Sequence, residues 1–313
     1  MKDTRVAVIV NPAAGNGRMR RAWPGIEARL RQRFGRFALY RTTGREDAAI
    51  FAQKAAAGGA GLIIAVGGNG TFNEIANGLL KAGKTGSGAP ELGFVPVGVG
   101  MDLARSLGLP LDMAGAIAAL ERPAKPVDAG RLTCVDEKGG PAERHFVNIA
   151  SLGVSGPIVR AVNQAKGTRF LSGQLLFFVR TVQELIRYRF STVRVTVEGH
   201  APWEMPLAVA AIANGRFFGS GMAVAPDAQV DDGHFDVVML QGTSKFFLID
   251  QFSKIYNGAH RDMPQVTIQR GSRVWVEAGN GREAPTLVEA DGDICGFLPA
   301  RFDMLPGVLK IRC

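Results

Sequence analysis

Residues 63–80 read IIAVGGNGTFNEIANGLL, an apolar run that ends in Gly67, Gly68, Asn69, Gly70 and Thr71 before a helical pattern begins. Three glycines in four positions let main-chain amides approach a polyanion closely, and the amino terminus of the following helix adds positive potential. The chemistry this spacing allows is the cradling of phosphates. Two more loops follow apolar runs in the same way: Asn11–Gly17 (NPAAGNG) and Pro96–Asp102 (PVGVGMD). If the runs before them form one parallel sheet, all three loops lie at its carboxyl edge, where such sheets bind ligands. One glycine loop reads equally as a tight turn, whereas three at one edge point to a nucleotide. Thr71 and Glu74 have the spacing of a capping box, which places the start of the helix at Phe72.

Competing patterns fit less well. Gly15 and Gly17 open a GxG, but the third glycine of the dinucleotide fingerprint would fall on Arg20, and no acidic residue ends the next strand pattern. Residues Gly78–Thr85 (GLLKAGKT) match GxxxxGK[ST] letter for letter, yet they close a helix instead of opening one, so the match reads as chance. No GxSxG elbow supports serine-hydrolase chemistry. The histidines His145, His200, His234 and His260 are scattered and the cysteines Cys134, Cys295 and Cys313 form no CxxC pair, which argues against a zinc centre and for a reducing cytoplasm. Asp231 and Asp232 precede Gly233, and Asp291 and Asp293 flank Gly292. Asp-Gly is a strong hairpin signal, and such a turn can also present ligands.

The same segments carry a family resemblance. NPAAG at 11–15, GGNGTFNE at 67–74, GVGMDLARSLGLP at 98–110, GMAVAPDAQVDDGHFDVV at 221–238 and EADGD at 289–293 resemble the signature segments of the diacylglycerol kinase catalytic family, which includes sphingosine and ceramide kinases. The resemblance covers almost the whole chain. It implies transfer of the γ-phosphate of ATP to a hydroxyl of a membrane lipid, whether diacylglycerol, ceramide or a sphingoid base. Carried over residue by residue, it implies that Asn11, Gly15, Thr42, Gly67, Gly68, Asn69, Gly70, Thr71, Asn73 and Val99 hold ATP. Gln229, Asp232 and the backbone of His234 would form a structural Mg2+ site linked to Asp102. Asp293 would take the proton from the lipid hydroxyl, with Asp291 and Asn69 in the same catalytic set.

Three positions depart from the family pattern. The aspartate of its GGDGT is Asn69, the threonine of its GTGND loop is Val99, and the asparagine of that loop is Met101. Asparagine neither accepts a proton at neutral pH nor ligates magnesium strongly. If the lost aspartate were the general base, the rate would fall by roughly 10² to 10⁴. If Asp293 is the base, transfer survives, because it depends on positioning and on neutralising phosphate charge. Where the family has glutamate, Asp293 is also one carbon shorter. The alternative to a kinase is therefore a catalytically impaired nucleotide- or lipid-binding relative. A kinase for a soluble acceptor such as NAD is a third reading, since NAD kinases share a similar loop and a two-domain plan.

These loops need a scaffold, and the chain has room for one. At 313 residues it exceeds the size at which a single core divides, so two domains are expected. Strand patterns at 5–10, 37–42, 61–66 and 92–95 alternate with helical patterns at 18–34, 46–57, 72–81 and 112–121. After Pro126 the pattern turns to strands at 193–198, 207–213, 235–240, 265–269, 273–277 and 308–312, with one helix near 172–188. The expected architecture is an α/β nucleotide-binding domain of NAD-kinase or diacylglycerol-kinase type over residues 1–127, a parallel sheet with helices. A β-sandwich lipid-substrate domain follows over residues 128–313, with ligand between the two.

Charge supplies the partner. The net charge is +9, and nine arginines lie between Arg18 and Arg45 against Glu27 alone. Seven bases between Arg160 and Arg194 face only Glu184 and interleave with Phe170, Leu171, Leu175, Leu176, Phe177, Phe178 and Val179. That composition suits peripheral contact with an anionic membrane at its cytoplasmic face, each base adding about 1 kcal/mol. It also argues against a soluble acceptor. Nucleic acid is not expected as a partner, having only net charge in its favour, and a homodimer is left open. No apolar stretch reaches the roughly 20 residues of a membrane span.

Overall fold

The computed structural model describes residues 5–98, 100–164, 173–279 and 285–313. The chain folds into two units, Met1–Ala129 with Pro306–Cys313, and Gly130–Leu305.

The first unit runs β1 (Val6–Val10), α1 (Arg18–Phe34), β2 (Ala38–Arg41), α2 (Asp47–Ala57), β3 (Leu62–Gly67), α3 (Asn69–Lys81), β4 (Glu91–Pro96), α4 (Asp102–Ser106) and α5 (Met113–Ala119). The strands lie in the order β2–β1–β3–β4, all parallel, with Val8 opposite both Leu39 and Ile64, and Ile64 opposite Gly93. β1, β3 and almost all of β4 are buried, as a sheet covered on both faces requires. Alternate residues Val6, Val8, Val10, Leu62, Ile64 and Val66 pack on Met19, Ile26 and Leu30 of α1 and on Ile117 beside Leu120. On the opposite face Phe94 meets Phe72 of α3 with ring centroids 5.0 Å apart. A Cβ on Gly78 would come within 2.5 Å of the Ala49 carbonyl, so this glycine lets α2 and α3 touch backbone to backbone. The GxxxxGK[ST] match thus begins inside a helix contact and ends beyond the helix.

β5 (Ala124–Val135) passes from the first unit into the second. There follow β6 (Pro141–Phe146), β7 (Ile149–Gly153), α6 (Ser155–Gln164), α7 (Gly173–Arg187), β8 (Ser191–Val197), β9 (Trp203–Ala213), β10 (Phe235–Gln241), α8 (Lys245–Asp250), β11 (Val266–Gly271), β12 (Arg273–Ala278), β13 (Leu287–Ala290) and β14 (Asp293–Arg312). Two long strands organise this unit. The first half of β9 pairs with β8 and its second half with β7, while β14 pairs first with β13 and then with β12. Since β13 also pairs with β7 and β12 with β8, antiparallel pairing closes on itself around one apolar core. That core includes Phe146, Val195, Ile212, Phe235, Val274, Val288 and Phe302.

The expected bounds of α1 are those observed, whereas α3 begins at Asn69, three residues before Phe72. β5, β6, β7, α6 and β13 go beyond the expected elements. The division at 127/128 gives the last eight residues to the second domain, but they pack into the first unit, where Ile311 pairs in parallel with Leu92 of β4. Among the described residues no helix is long and apolar enough to cross a membrane.

Candidate nucleotide and acceptor sites

Parallel pairing brings the carboxyl ends of β1, β2, β3 and β4 to one edge of the first unit. Main-chain bonds knit the loops there: Asn11 N to Val66 O at 3.0 Å, Thr42 N to Val10 O at 2.9 Å and Val97 N to Gly67 O at 2.7 Å. Gly15, at φ 62°, would set a Cβ 3.6 Å from the Gly98 Cα, and one on Gly98 would lie 3.9 Å from the Gly68 Cα. The three glycine loops therefore converge backbone to backbone, as the sequence pattern anticipates.

Gly68 caps α3 without a side-chain hydrogen bond. The capping box is thus corrected: Thr71 lies inside the first turn, and its Oγ1 accepts from Asn11 Nδ2 at 3.1 Å. The Asn11 Oδ1 accepts from Ala13 N at 3.0 Å, so Asn11 shapes the cradle by bracing its loop against α3. First-turn amides of a helix have no acceptor within the helix, so those of Asn69 and Gly70 can serve an anion. The Asn69 Oδ1 is buried without a hydrogen-bond partner, an unsatisfied acceptor at the mouth of the cradle. The glycine backbone and the helix amino terminus, rather than that oxygen, fit a polyphosphate.

Of the remaining expected nucleotide residues, Thr42 is buried just past the carboxyl end of β2. Asn73 is buried within α3, its oxygens taken by Asn77 Nδ2 at 3.0 Å. Val99 lies outside the described residues. Asp102, also buried, opens α4 just after Met101, which adopts a left-handed φ of 51°.

In the second unit Gln229, Asp232 and His234 lie on the loop that leads into β10. The Asp232 Oδ1 accepts from His234 N at 3.0 Å, and its Oδ2 accepts from the Arg270 guanidinium. Arg270 also faces Asp236 across the β10–β11 pair at 3.7 Å. Burial pushes the Asp236 carboxyl above its ordinary value, partly offset by Arg270. The expected magnesium ligands Gln229, Asp232 and the His234 backbone thus share one loop, with the Arg270 guanidinium on one Asp232 oxygen.

The EADGD segment forms the end of β13, a two-residue turn and the start of β14. Asp291 turns inward, its oxygens accepting from Val147 N at 2.8 Å, Asn148 N at 3.1 Å and Ile149 N at 3.0 Å. That carboxylate, expected in the catalytic set, thus clamps three main-chain amides. Asp293 turns outward, 38% exposed, with Arg144 Nη2 at 2.8 Å on one oxygen. An accessible carboxylate held by one cation can accept a proton from a hydroxyl. Glu289, to which no role was assigned, is buried beneath the turn. An acidic residue within the apolar strand LVEA is the sequence signal that marks it.

The diacylglycerol kinase catalytic domain family matches residues 5–132, and the YegS C-terminal NAD kinase beta sandwich-like domain matches residues 148–313. A diacylglycerol kinase of Mycobacterium tuberculosis is 29% identical over 98% of this chain and 94% of its own length. In fold, the chain is similar to a crystal structure of a diacylglycerol kinase from Bacillus anthracis, with a TM-score of 0.71 and 23% identity over 98% of this chain and 96% of that one. It is more distantly similar to yeast NADH kinase complexed with NADH, with a TM-score of 0.51 and 9% identity over 98% and 82%. With both halves matched in order and the carboxyl-terminal match alone spanning more than half of its length, the chain belongs to the diacylglycerol kinase catalytic family.

Proposed function

We propose that this protein is a lipid kinase that transfers the γ-phosphate of ATP to a hydroxyl of a membrane lipid, with diacylglycerol, ceramide and sphingoid bases as the acceptor classes. The observation that carries the reading is the cradle at the start of α3, where three glycine loops meet at the first turn of the helix. The triphosphate sits there, accompanied by the magnesium with which it enters as substrate, and the amides neutralise charge on the phosphates. Asn69 takes no proton in this scheme; its amide group contributes hydrogen bonding at the helix start.

The second unit supplies the acceptor chemistry. As the lipid oxygen bonds to the γ-phosphorus, its proton passes to the Asp293 carboxylate. The bond from that phosphorus to the β–γ bridging oxygen breaks, and ADP leaves with the electron pair. Arg144 holds the Asp293 carboxylate in place. Acceptor access is from the membrane surface, supported by Phe246 at 86% and Ile186 at 56% exposure, with Lys245 Nζ bonded to the Ile186 carbonyl at 2.6 Å and Arg187 and Arg189 exposed nearby. Phe170 and Leu171 of the apolar basic stretch lie outside the described residues.

The test is transfer of labelled γ-phosphate from ATP to a total lipid extract, with products identified by mass. Wild type labels a lipid and Asp293→Ala loses that product while still binding ATP. ATP binding without any labelled lipid would instead support the catalytically impaired relative.

A further inference from the structure

The turn that presents Asp293 is held with unusual completeness. Ala290 pairs with Asp293, and the two loop residues, Asp291 at φ 49° and Gly292 at φ 86°, are both left-handed, as a type I′ hairpin requires. Its groups are then tied from three directions. Asp291 takes the amides of residues 147–149, the Gly292 carbonyl accepts from Asn163 Nδ2 at 3.0 Å, and the Gly292 amide donates to Glu289 Oε2 at 2.9 Å.

Glu289 is the member of this set that costs most to place. It is 3% exposed, directly opposite Ser151 in the β13–β7 pairing, and its Oε1 is hydrogen-bonded to the Ser151 hydroxyl. Ser151 in turn lies 2.8 Å from the Ser155 hydroxyl. A hydroxyl has one proton to donate, so the direction of the Ser155–Ser151–Glu289 chain depends on Glu289. When Glu289 is protonated it donates to Ser151, which donates to Ser155. When it is ionised both bonds reverse. Burial drives its carboxyl up to about 7, opposed by the Ser151 and Gly292 bonds and reinforced by Asp291 and Asp293.

We propose that Glu289 is a positioning residue for phosphoryl transfer: gripping the Gly292 amide on one side and Ser151 on the other, it sets where the Asp293 carboxylate sits towards the acceptor hydroxyl. The inference rests on Asp293 being the base. Below neutrality Glu289 is an uncharged strut. Above it, a buried charge appears beside Asp291 and Asp293 on the turn and β14, together with the Cys295 thiol, which burial keeps protonated. From β7 and α6 the facing groups are the two serines, while Arg160 of α6 is directed to Glu137 at 3.8 Å. From β6 the facing cation is Arg144, already on Asp293, and His145 alternates to the other face of the strand. Among the described residues no second cation meets the new charge, so the turn loosens as pH rises.

The experiment compares wild type, Glu289→Gln and Glu289→Ala by two readouts. The first is kcat and KM for transfer from ATP to diacylglycerol in mixed micelles between about pH 6 and pH 9. Wild type should lose activity above about pH 7, and Glu289→Gln should match it at low pH and lack that loss. Glu289→Ala should lose roughly 10- to 100-fold in kcat with KM for ATP unchanged. The second readout is amide hydrogen exchange, in which Glu289→Ala should lose about tenfold protection at Gly292 while Glu289→Gln retains it. A Glu289→Gln profile that still falls with pH as wild type does, or unchanged Gly292 protection in Glu289→Ala, overturns the proposal. If wild type labels no lipid, the kinase reading fails by itself, and the exchange arm still decides whether Glu289 holds the turn.

Discussion

Met101 holds the backbone at φ 51° and ψ 39°, where an L side chain costs about 1 to 2 kcal/mol and asparagine costs less. Met101→Asn is expected to raise stability by about 0.5 to 1 kcal/mol, seen as a higher Tm in thermal unfolding. Gly67 is constrained by space instead of by angle. A Cβ there would meet Thr71 Oγ1 at 2.6 Å, displacing the hydroxyl that receives the Asn11 bond. Gly67→Ala should therefore weaken ATP binding about tenfold by titration calorimetry while leaving the fold intact. Glu289 predicts a pH effect on stability. Its carboxyl rises from an ordinary 4.5 to about 7 on folding, so the native state binds the extra proton in that window. Its stabilising contribution is full below 4.5 and lost as pH climbs through about 7, and Glu289→Gln should stabilise by about 3 kcal/mol at pH 8 and by nothing near pH 4. From sequence alone the Asp-Gly turn was legible, but not which carboxylate faces inward. That depends on the β13–β7 register, which aligns Asp291 with the amides of Val147, Asn148 and Ile149 at the β6–β7 connection, far earlier in the chain.

At the level of elements, legibility followed periodicity. The seventeen residues of α1 repeat their apolar positions cleanly and end at Gly35, so both bounds could be read. The start of α3 could not, because Thr71 and Glu74 imitate a capping box while glycine serves as the cap. β5, β6 and β7 escaped for a different reason: β5 and β7 also pair with β14, β13 and β9, distant in sequence, while β6, the hairpin partner of β5, alternates exposed polar residues with few apolar ones. α8 is short and apolar, KFFLID, with Phe247 and Leu248 packed inward and Phe246 outward. An outward phenylalanine beside Lys245 and Arg187 suits insertion between anionic headgroups. Phe246→Ser should lower co-sedimentation with anionic vesicles several-fold without changing ATP binding, and neutral vesicles should bind wild type weakly. Equal sedimentation of the two proteins would remove α8 from the membrane surface.

For the molecule as a whole, the least legible feature was where the chain ends. The pattern at 308–312 reads as a strand, but its sheet cannot be chosen without register, and proximity in sequence favours the second unit. The structure places it in the first: Ile311 is fully buried against Leu92, Leu309 is 2% exposed, and Arg312 bonds to Glu91 at 2.6 Å and to the Leu120 carbonyl at 2.7 Å. Gly307 N, at the point of return, donates to Asp128 at 2.6 Å. Burying two such side chains contributes roughly 1.5 to 3 kcal/mol each, a large part of the 5 to 15 kcal/mol typical of a domain. Deleting residues 306–313 should therefore unfold or greatly loosen the unit that carries the nucleotide loops, although the deleted residues lie at the far end of the chain from them. Hydrogen exchange resolves the two units peptide by peptide: protection should collapse across β1, β3 and β4 and persist across β9, β10 and β12. Loss confined to β12 and β13 would instead show that the terminal strand serves the second unit.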